Sequence, residues 1–232
     1  MPGKLTLIAT PIGNLGDLSE RAKRALSAAD VWIVEDTRQS GKLQAHLGLK
    51  RPMLVLNDHT SEVKVHSYAR EAEAGKEMAV LTDAGCPGIS DPGAHLADLC
   101  YELGIPVEAV PGPSAVTTAL MLSGYYAQRF VFLGYLPRKS GAAKKELEPF
   151  FDSPHTLVLF ESAFRAKNIL RLAGETLGER RYSICREMTK VHEQVFRSQL
   201  PNVPTSDEAP EKGEWTIVIE GRRKRCGKLE VR

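Results

Sequence analysis

The sequence predicts an α/β protein built as two α/β domains, and three observations carry that expectation. Short apolar runs alternate with helical patterns through the first half of the chain. A stretch dense in turn formers, V-P-G-P-S-A at 110–115, then breaks the rhythm. Beyond it, three β-rich runs follow one another with no helix between them. Alternating strands and helices call for right-handed crossovers and a largely parallel sheet, whereas consecutive strands pair antiparallel. The expected domains are therefore residues 1–112, with a mainly parallel sheet, and residues 113–232, with a mixed one.

In the first half, residues 4–10, 31–36, 53–57, 77–83 and 107–111 read as strands, each apolar and bounded by turn formers. Helical patterns fill the gaps at 19–29, capped by Ser19, and at 37–47, 61–74 and 93–103. The second half opens with a helix at 114–123, a strand at 129–136 and a charged helix at 142–151. A strand at 156–162 and a helix at 163–177 follow, and then the strands 181–188, 193–200 and 215–220. Residues 201–213 are polar, contain three prolines and read as a mobile loop.

A chain of 232 residues, 42% hydrophobic and 26% charged, can bury a sizeable core and has the make-up of an ordinary globular protein. No run approaches the ~18 apolar residues of a membrane helix, so no membrane partner is expected. The N-terminus runs straight into a strand pattern. Cys86, Cys100, Cys185 and Cys226 lie far apart with no C-x-x-C spacing, which predicts reduced thiols, a cytoplasmic setting and no metal site. A net charge of +2 excludes a general polycation. The basic residues are nonetheless clustered, at Arg222, Arg223, Lys224 and Arg225 and at Arg138, Lys139, Lys144 and Lys145. Such clusters meet nucleic acid or simply face solvent.

The most informative segment is L-T-D-A-G-C-P-G-I-S-D-P-G at 81–93, where an apolar strand breaks into a loop of glycines and prolines. Glycine lets backbone approach a ligand, and proline stiffens the turn. Three further motifs also end predicted strands. E-D-T-R at 35–38 brings two carboxylates and a guanidinium, or merely caps the next helix. F-E-S at 160–162 and R-E-M-T-K at 186–190 close strands of the second half, where a helix terminus or a solvated edge would explain them as well. T-P-I-G-N-L-G-D at 10–17 is neither G-x-G-x-x-G nor a Walker loop. Their shared position at strand ends points to one ligand crevice.

Taken in order with P-G-P-S-A at 111–115, these motifs closely resemble the ribosomal RNA small subunit methyltransferase I family. That family is a branch of the tetrapyrrole (corrin/porphyrin) methylase superfamily, and the resemblance runs in register from about residue 5 to 221. It implies a class III methyltransferase fold with S-adenosyl-L-methionine in a cleft between the domains, in a homodimer. It also implies 2′-O-methylation of a cytidine in the decoding region of 16S rRNA, with that rRNA or the small ribosomal subunit as partner. Carried over by position, Pro11 lines the cofactor, and Asp83, Ala84, Gly85, Pro87 and Ile89 hold its carboxylate and ribose side. Ser114 and Ala115 approach its methionine part, while Phe160, Glu161, Met188, Trp215 and Thr216 surround its adenine. The family's H-x-H-N-E is replaced by Asn57, Asp58, His59, Thr60, Ser61 and Glu62.

Methyl transfer to a ribose hydroxyl is an in-line displacement that needs alignment and removal of a proton. With no metal ligands in sight, Glu35 and Asp36 are the candidate catalytic carboxylates. Arg38, Arg186 and Lys190 are placed to meet RNA phosphates. The alternatives are methylation of a corrin or porphyrin precursor, and a cofactor-binding module without catalysis.

Overall fold

A computed structural model describes residues 2–222. Arg223, Lys224, Arg225 and Cys226, singled out above, lie outside the described residues. The chain divides into two compact units that meet in sequence at Ser114 and Ala115.

The first unit alternates strictly. Its strands are β1 (Lys4–Ile8), β2 (Val31–Val34), β3 (Met53–Val55), β4 (Glu77–Leu81) and β5 (Val107–Val110). Its helices are α1 (Glu20–Ala28), α2 (Thr37–Leu47), α3 (Glu62–Glu73) and α4 (Ala94–Glu102). The sheet order is β3-β2-β4-β1-β5, and every pair is parallel. Each strand buries alternate side chains on opposite faces. Trp32, Val34, Ala79 and Leu81 pack with α1 and α2, whereas Ile33, Met78 and Val80 pack with α3 and α4. The caps follow the local sequence: the Ser19 hydroxyl accepts the Ala22 N–H at 3.1 Å, and Gly48 closes α2 at φ 64°. The expected strand 53–57 stops at Val55, because Asn57 folds into a side-chain-capped turn whose Oδ1 accepts the His59 N–H.

The second unit contains α5 (Ala115–Ser123), β6 (Phe130–Tyr135), α6 (Ser140–Leu147), β7 (Thr156–Ser162), α7 (Ala163–Leu177), β8 (Arg181–Arg186), β9 (Gln194–Gln199) and β10 (Glu214–Ile219). The order is β6-β7-β10-β8-β9, with β6 and β7 parallel and the remaining pairs antiparallel, so the sheet is mixed. Three expectations are revised. The helix expected at 142–151 ends at Leu147 and tightens into a 3-10 turn, Glu148–Phe150, because Pro149 has no N–H to continue it. The strand expected at 181–188 ends at Arg186, because Glu187 (φ 49°) and Thr189 (φ 65°) turn the chain. The loop expected to be mobile at 201–213 is pinned: Ala209 is buried in the core, and Lys167 holds both Ser206 and Glu211.

Candidate functional site

All five strands of the first unit run the same way, so the loops that follow them share one edge of the sheet. Helices α1 and α2 cover one face and α3 and α4 the other. The loop after β1 therefore leaves toward one face and the loop after the adjacent β4 toward the other. A crevice opens at such a switch of direction, and ligands of open α/β sheets bind there. The loops touch at this point. Thr10 and Gly85 exchange backbone hydrogen bonds, and the Cys86 thiol lies 3.5 Å from the Pro113 carbonyl. The Asp83 N–H points to Glu35 Oε2 at 3.4 Å.

Glycines shape the loop after β4. Gly85, Gly88 and Gly93 have φ of 87°, 79° and 128°, a region that side chains disfavour, and even Ser90 is drawn to 64°. Both backbone groups of Gly85 are used by Thr10, so its contribution is conformation, not a free hydrogen bond. Asp83, Ala84 and Ile89 are exposed at the rim, and Pro11 and Pro87 are half-buried beside them; Ser114 ends this unit and Ala115 begins the next, both half-buried.

Carboxylates gather along the same edge, and their environments separate them. Asp36 caps α2 by accepting the Arg38 N–H, and it also binds the Arg38 guanidinium at 2.5 Å. Those hydrogen bonds hold its pKa down at about 2. Such a carboxylate is a poor acceptor for a hydroxyl proton. Asp91 has the opposite setting. Burial and the neighbouring Glu35 charge push its pKa up to about 6, with Asp83 and Asp58 adding to the effect and the Thr82 hydroxyl opposing it. Asp83 is also raised, by burial and then by Glu35. Asp91 lies within the 81–93 motif, where the sequence alone assigns it no role. Its perturbation comes first from burial and then from carboxylates on the loops after β2, β4 and β3, a setting that one-dimensional spacing does not reveal.

In the second unit, antiparallel pairing of β10 brings Trp215 opposite both Glu161 and Arg186. The carboxyl ends of β7 and β8 thus meet the start of β10. The five residues there divide between faces. Phe160 and Thr216 pair on one face, with Phe160 half-buried, and Met188 is buried just past β8. Trp215 belongs to the hydrophobic core on the opposite face, and its buried indole N–H has no hydrogen-bond partner among the described residues. Glu161 is buried there too, bonded to the Ser162 N–H and 3.3 Å from Arg165 of α7.

The three cations expected to meet phosphates all have internal partners. Arg186 donates to the carbonyls of Lys212 and His192, and Lys190 binds Glu187 and Glu214. Arg38 is bound only on one side, by Asp36, and its side chain is 87% exposed. A cavity of about 540 Å³ lies elsewhere, at the amino ends of the strands against α1. It is lined by Lys4, which pairs with both Glu77 and Glu108, and by Arg21 and Arg24, and it lies away from the convergent loops of the opposite edge. No cluster suited to a metal ion exists among the described residues. None of their helices is long and apolar enough to cross a membrane.

This architecture defines a two-unit α/β protein with glycine-rich loops at strand ends, and the comparisons narrow the class. The family described as Tetrapyrrole (Corrin/Porphyrin) Methylases matches residues 4–204. The methyltransferase CobJ superimposes with a TM-score of 0.69 at 15% identity, covering 96% of this chain and 97% of that one. A Thermus thermophilus uroporphyrin-III C-methyl transferase, complexed with S-adenyl homocysteine, gives 0.65 at 20% identity and covers 93% of this chain and 97% of its own. These likenesses show the fold. Sequence similarity is far higher to the ribosomal RNA small subunit methyltransferase I of Haemophilus influenzae, 40% identical over 100% of this chain and 83% of that protein. The Thermotoga maritima protein of the same name is 38% identical over 95% of this chain and 99% of its own length. The chain belongs to the tetrapyrrole (corrin/porphyrin) methylase family, in its ribosomal RNA small subunit methyltransferase I branch.

Proposed function

We propose that this protein transfers the methyl group of S-adenosyl-L-methionine to the ribose 2′-oxygen of a cytidine in the decoding region of 16S rRNA, acting in the cytoplasm as a homodimer. Similarity over essentially the whole chain to relatives named for small-subunit rRNA is the observation that carries the substrate class.

The residues present suit the cofactor. S-adenosyl-L-methionine carries positive charge on its sulfonium and ammonium groups, and the loop edge of the first unit offers Glu35, Asp83 and Asp91. Left-handed glycines keep side chains out of the same loop. In this reading Pro11, Asp83, Ala84, Gly85, Pro87 and Ile89 hold the methionine and ribose side, with Ser114 and Ala115. Phe160, Met188 and Thr216 serve the adenine, while Glu161 and Trp215 support them from the core face. The cofactor supplies an electrophilic methyl. The protein aligns the ribose hydroxyl, excludes water and accepts the hydroxyl proton, for which Asp91 is better tuned than Asp36. A positioned base of this kind contributes ~100- to 10,000-fold.

The test is incubation with labelled cofactor and undermethylated small subunits, followed by nucleoside analysis. Label in 2′-O-methylcytidine is the expected result. Label in a tetrapyrrole acceptor and none in RNA would overturn the reading.

A further inference from the structure

Tyr135 is an aromatic ring that the core does not claim. It ends the edge strand β6 and is 63% exposed, yet its position is closely determined. The register between β6 and β7 shifts between Phe132 and Gly134, so Leu133 is an extra residue, and Gly134 takes φ 61°. Side chains alternate along a strand, so an unbroken β6 would turn Tyr135 away from the face that carries Phe132. The bulge restores it to that face, a common use of bulges near functional sites. Both rings now meet Phe160 edge-on, Phe132 at 4.8 Å and Tyr135 at 5.8 Å between centroids.

The chain just beyond is anchored. Leu136 is buried, and Arg165 donates to the Leu136 and Pro137 carbonyls at 2.9 and 3.1 Å while lying 3.3 Å from Glu161. Arg138 and Lys139 follow, both exposed, and neither side chain has an ion pair or hydrogen bond among the described residues. A rigid exposed ring followed within four residues by two uncommitted cations has the chemistry of a single-stranded nucleic-acid contact. The ring stacks a base and the cations meet the adjoining phosphates.

We propose that Tyr135 is a stacking platform for a base of single-stranded RNA, with Arg138 and Lys139 holding the flanking backbone. The inference rests on the RNA reading above and names a contact through which that reading would operate. A buried cofactor would favour an enclosed ring, whereas a ring 63% exposed on an edge strand suits a polymer that lies across the surface.

The experiment compares Tyr135→Ala, Tyr135→Leu and Tyr135→Phe with the unaltered chain, each checked for folding by circular dichroism. Affinity is measured for undermethylated small subunits, for a decoding-region hairpin and, separately, for S-adenosylhomocysteine. Stacking predicts that alanine and leucine weaken RNA binding about tenfold or more and that phenylalanine nearly restores it, all with S-adenosylhomocysteine affinity unchanged. Arg138→Gln with Lys139→Gln should flatten the salt dependence of RNA binding. Unchanged RNA affinity in a folded alanine or leucine variant overturns the inference while leaving the RNA reading intact. Loss of S-adenosylhomocysteine affinity alone would assign the ring to the cofactor's adenine and also overturn it. An unaltered chain that binds neither RNA form defeats both.

Discussion

Thr10 and Gly85 tie the two diverging loops of the first unit together. The Thr10 N–H donates to the Gly85 carbonyl at 2.8 Å, and the Gly85 N–H donates back to the Thr10 carbonyl at 3.1 Å. The Thr10 hydroxyl adds a bond to the Thr82 carbonyl at 3.1 Å. Because β1 and β4 are neighbours, this bridge fixes the mouth of the crevice where their following helices part.

The bridge requires Gly85 to stay at φ 87°. An added Cβ there would meet Ile12 Cγ2 at 3.6 Å and the Pro113 carbonyl at 3.9 Å, ordinary contact distances, so the obstacle is conformational. Gly85→Ala should cost about 1–2 kcal/mol of stability through left-handed strain. Gly85→Val, with a branched side chain, should also weaken S-adenosylhomocysteine binding about tenfold, or about 1.4 kcal/mol. Calorimetry on folded protein checks both, and full affinity in the valine variant would remove the cofactor from this loop.

Asp91 should govern the acid limb of activity. Methyl transfer should fall as pH drops through about 6, where its carboxyl becomes protonated. Asp91→Asn should lower the rate ~100-fold or more and abolish that limb. Stability should move the other way. The folded pKa lies above the ordinary value of 3.8, so the folded state holds the proton more tightly than the unfolded chain. The resulting stabilisation is full below the ordinary value and fades as pH rises to about 6. Above that pH the asparagine variant should melt higher than the unaltered chain. An acid limb that survives in Asp91→Asn would return the proton to another acceptor.

Much of this fold is legible in the sequence because period and punctuation agree. Ser19 caps α1 as its hydroxyl suggests, and Asp36 caps α2, the plainer of two readings open for E-D-T-R. The site is less legible. The segment at 186–190 shows alternating charge in sequence, but only the left-handed turn at Glu187 and Thr189 reveals that its cations close on nearby loop carbonyls and carboxylates. Trp215 and Thr216 are neighbours in sequence and both buried, yet strand alternation sends them to opposite faces of the sheet, so one motif serves two sides. Asp91 needed the loops after β2 and β3 in place before its environment could be read.

Arg186 is expected to act mainly as a structural residue. Its guanidinium bonds the Lys212 carbonyl at 2.7 Å and the His192 carbonyl at 3.2 Å, joining two loops. Arg186→Ala leaves those carbonyls to find new partners and should cost about 1–3 kcal/mol. Denaturant melts should show that loss, with little change in the salt dependence of RNA binding. A clear drop in salt slope at unaltered stability would restore Arg186 to the RNA surface.

Arg38 carries the opposite expectation. The loop edge of the first unit is acidic, with Glu35, Asp58, Asp83 and Asp91 near one another, and suits a cationic cofactor better than an RNA backbone. Arg38 stands over that edge with an exposed side chain that Asp36 engages on one side, which leaves guanidinium donors to reach a phosphate. Each phosphate neutralised releases condensed counterions, so Arg38→Ala should lower the salt slope of RNA binding by roughly 0.7. Cofactor affinity should stay nearly constant. Asp36 should lose the guanidinium hydrogen bonds that most depress its pKa while keeping the one from the backbone N–H of residue 38, and the acid stability it supports between pH 3.8 and about 2 should shrink. Titrating RNA affinity against salt for both proteins gives the slope difference directly. Identical slopes would mean that Arg38 serves only to cap and neutralise Asp36, and that the RNA backbone is met elsewhere on the chain.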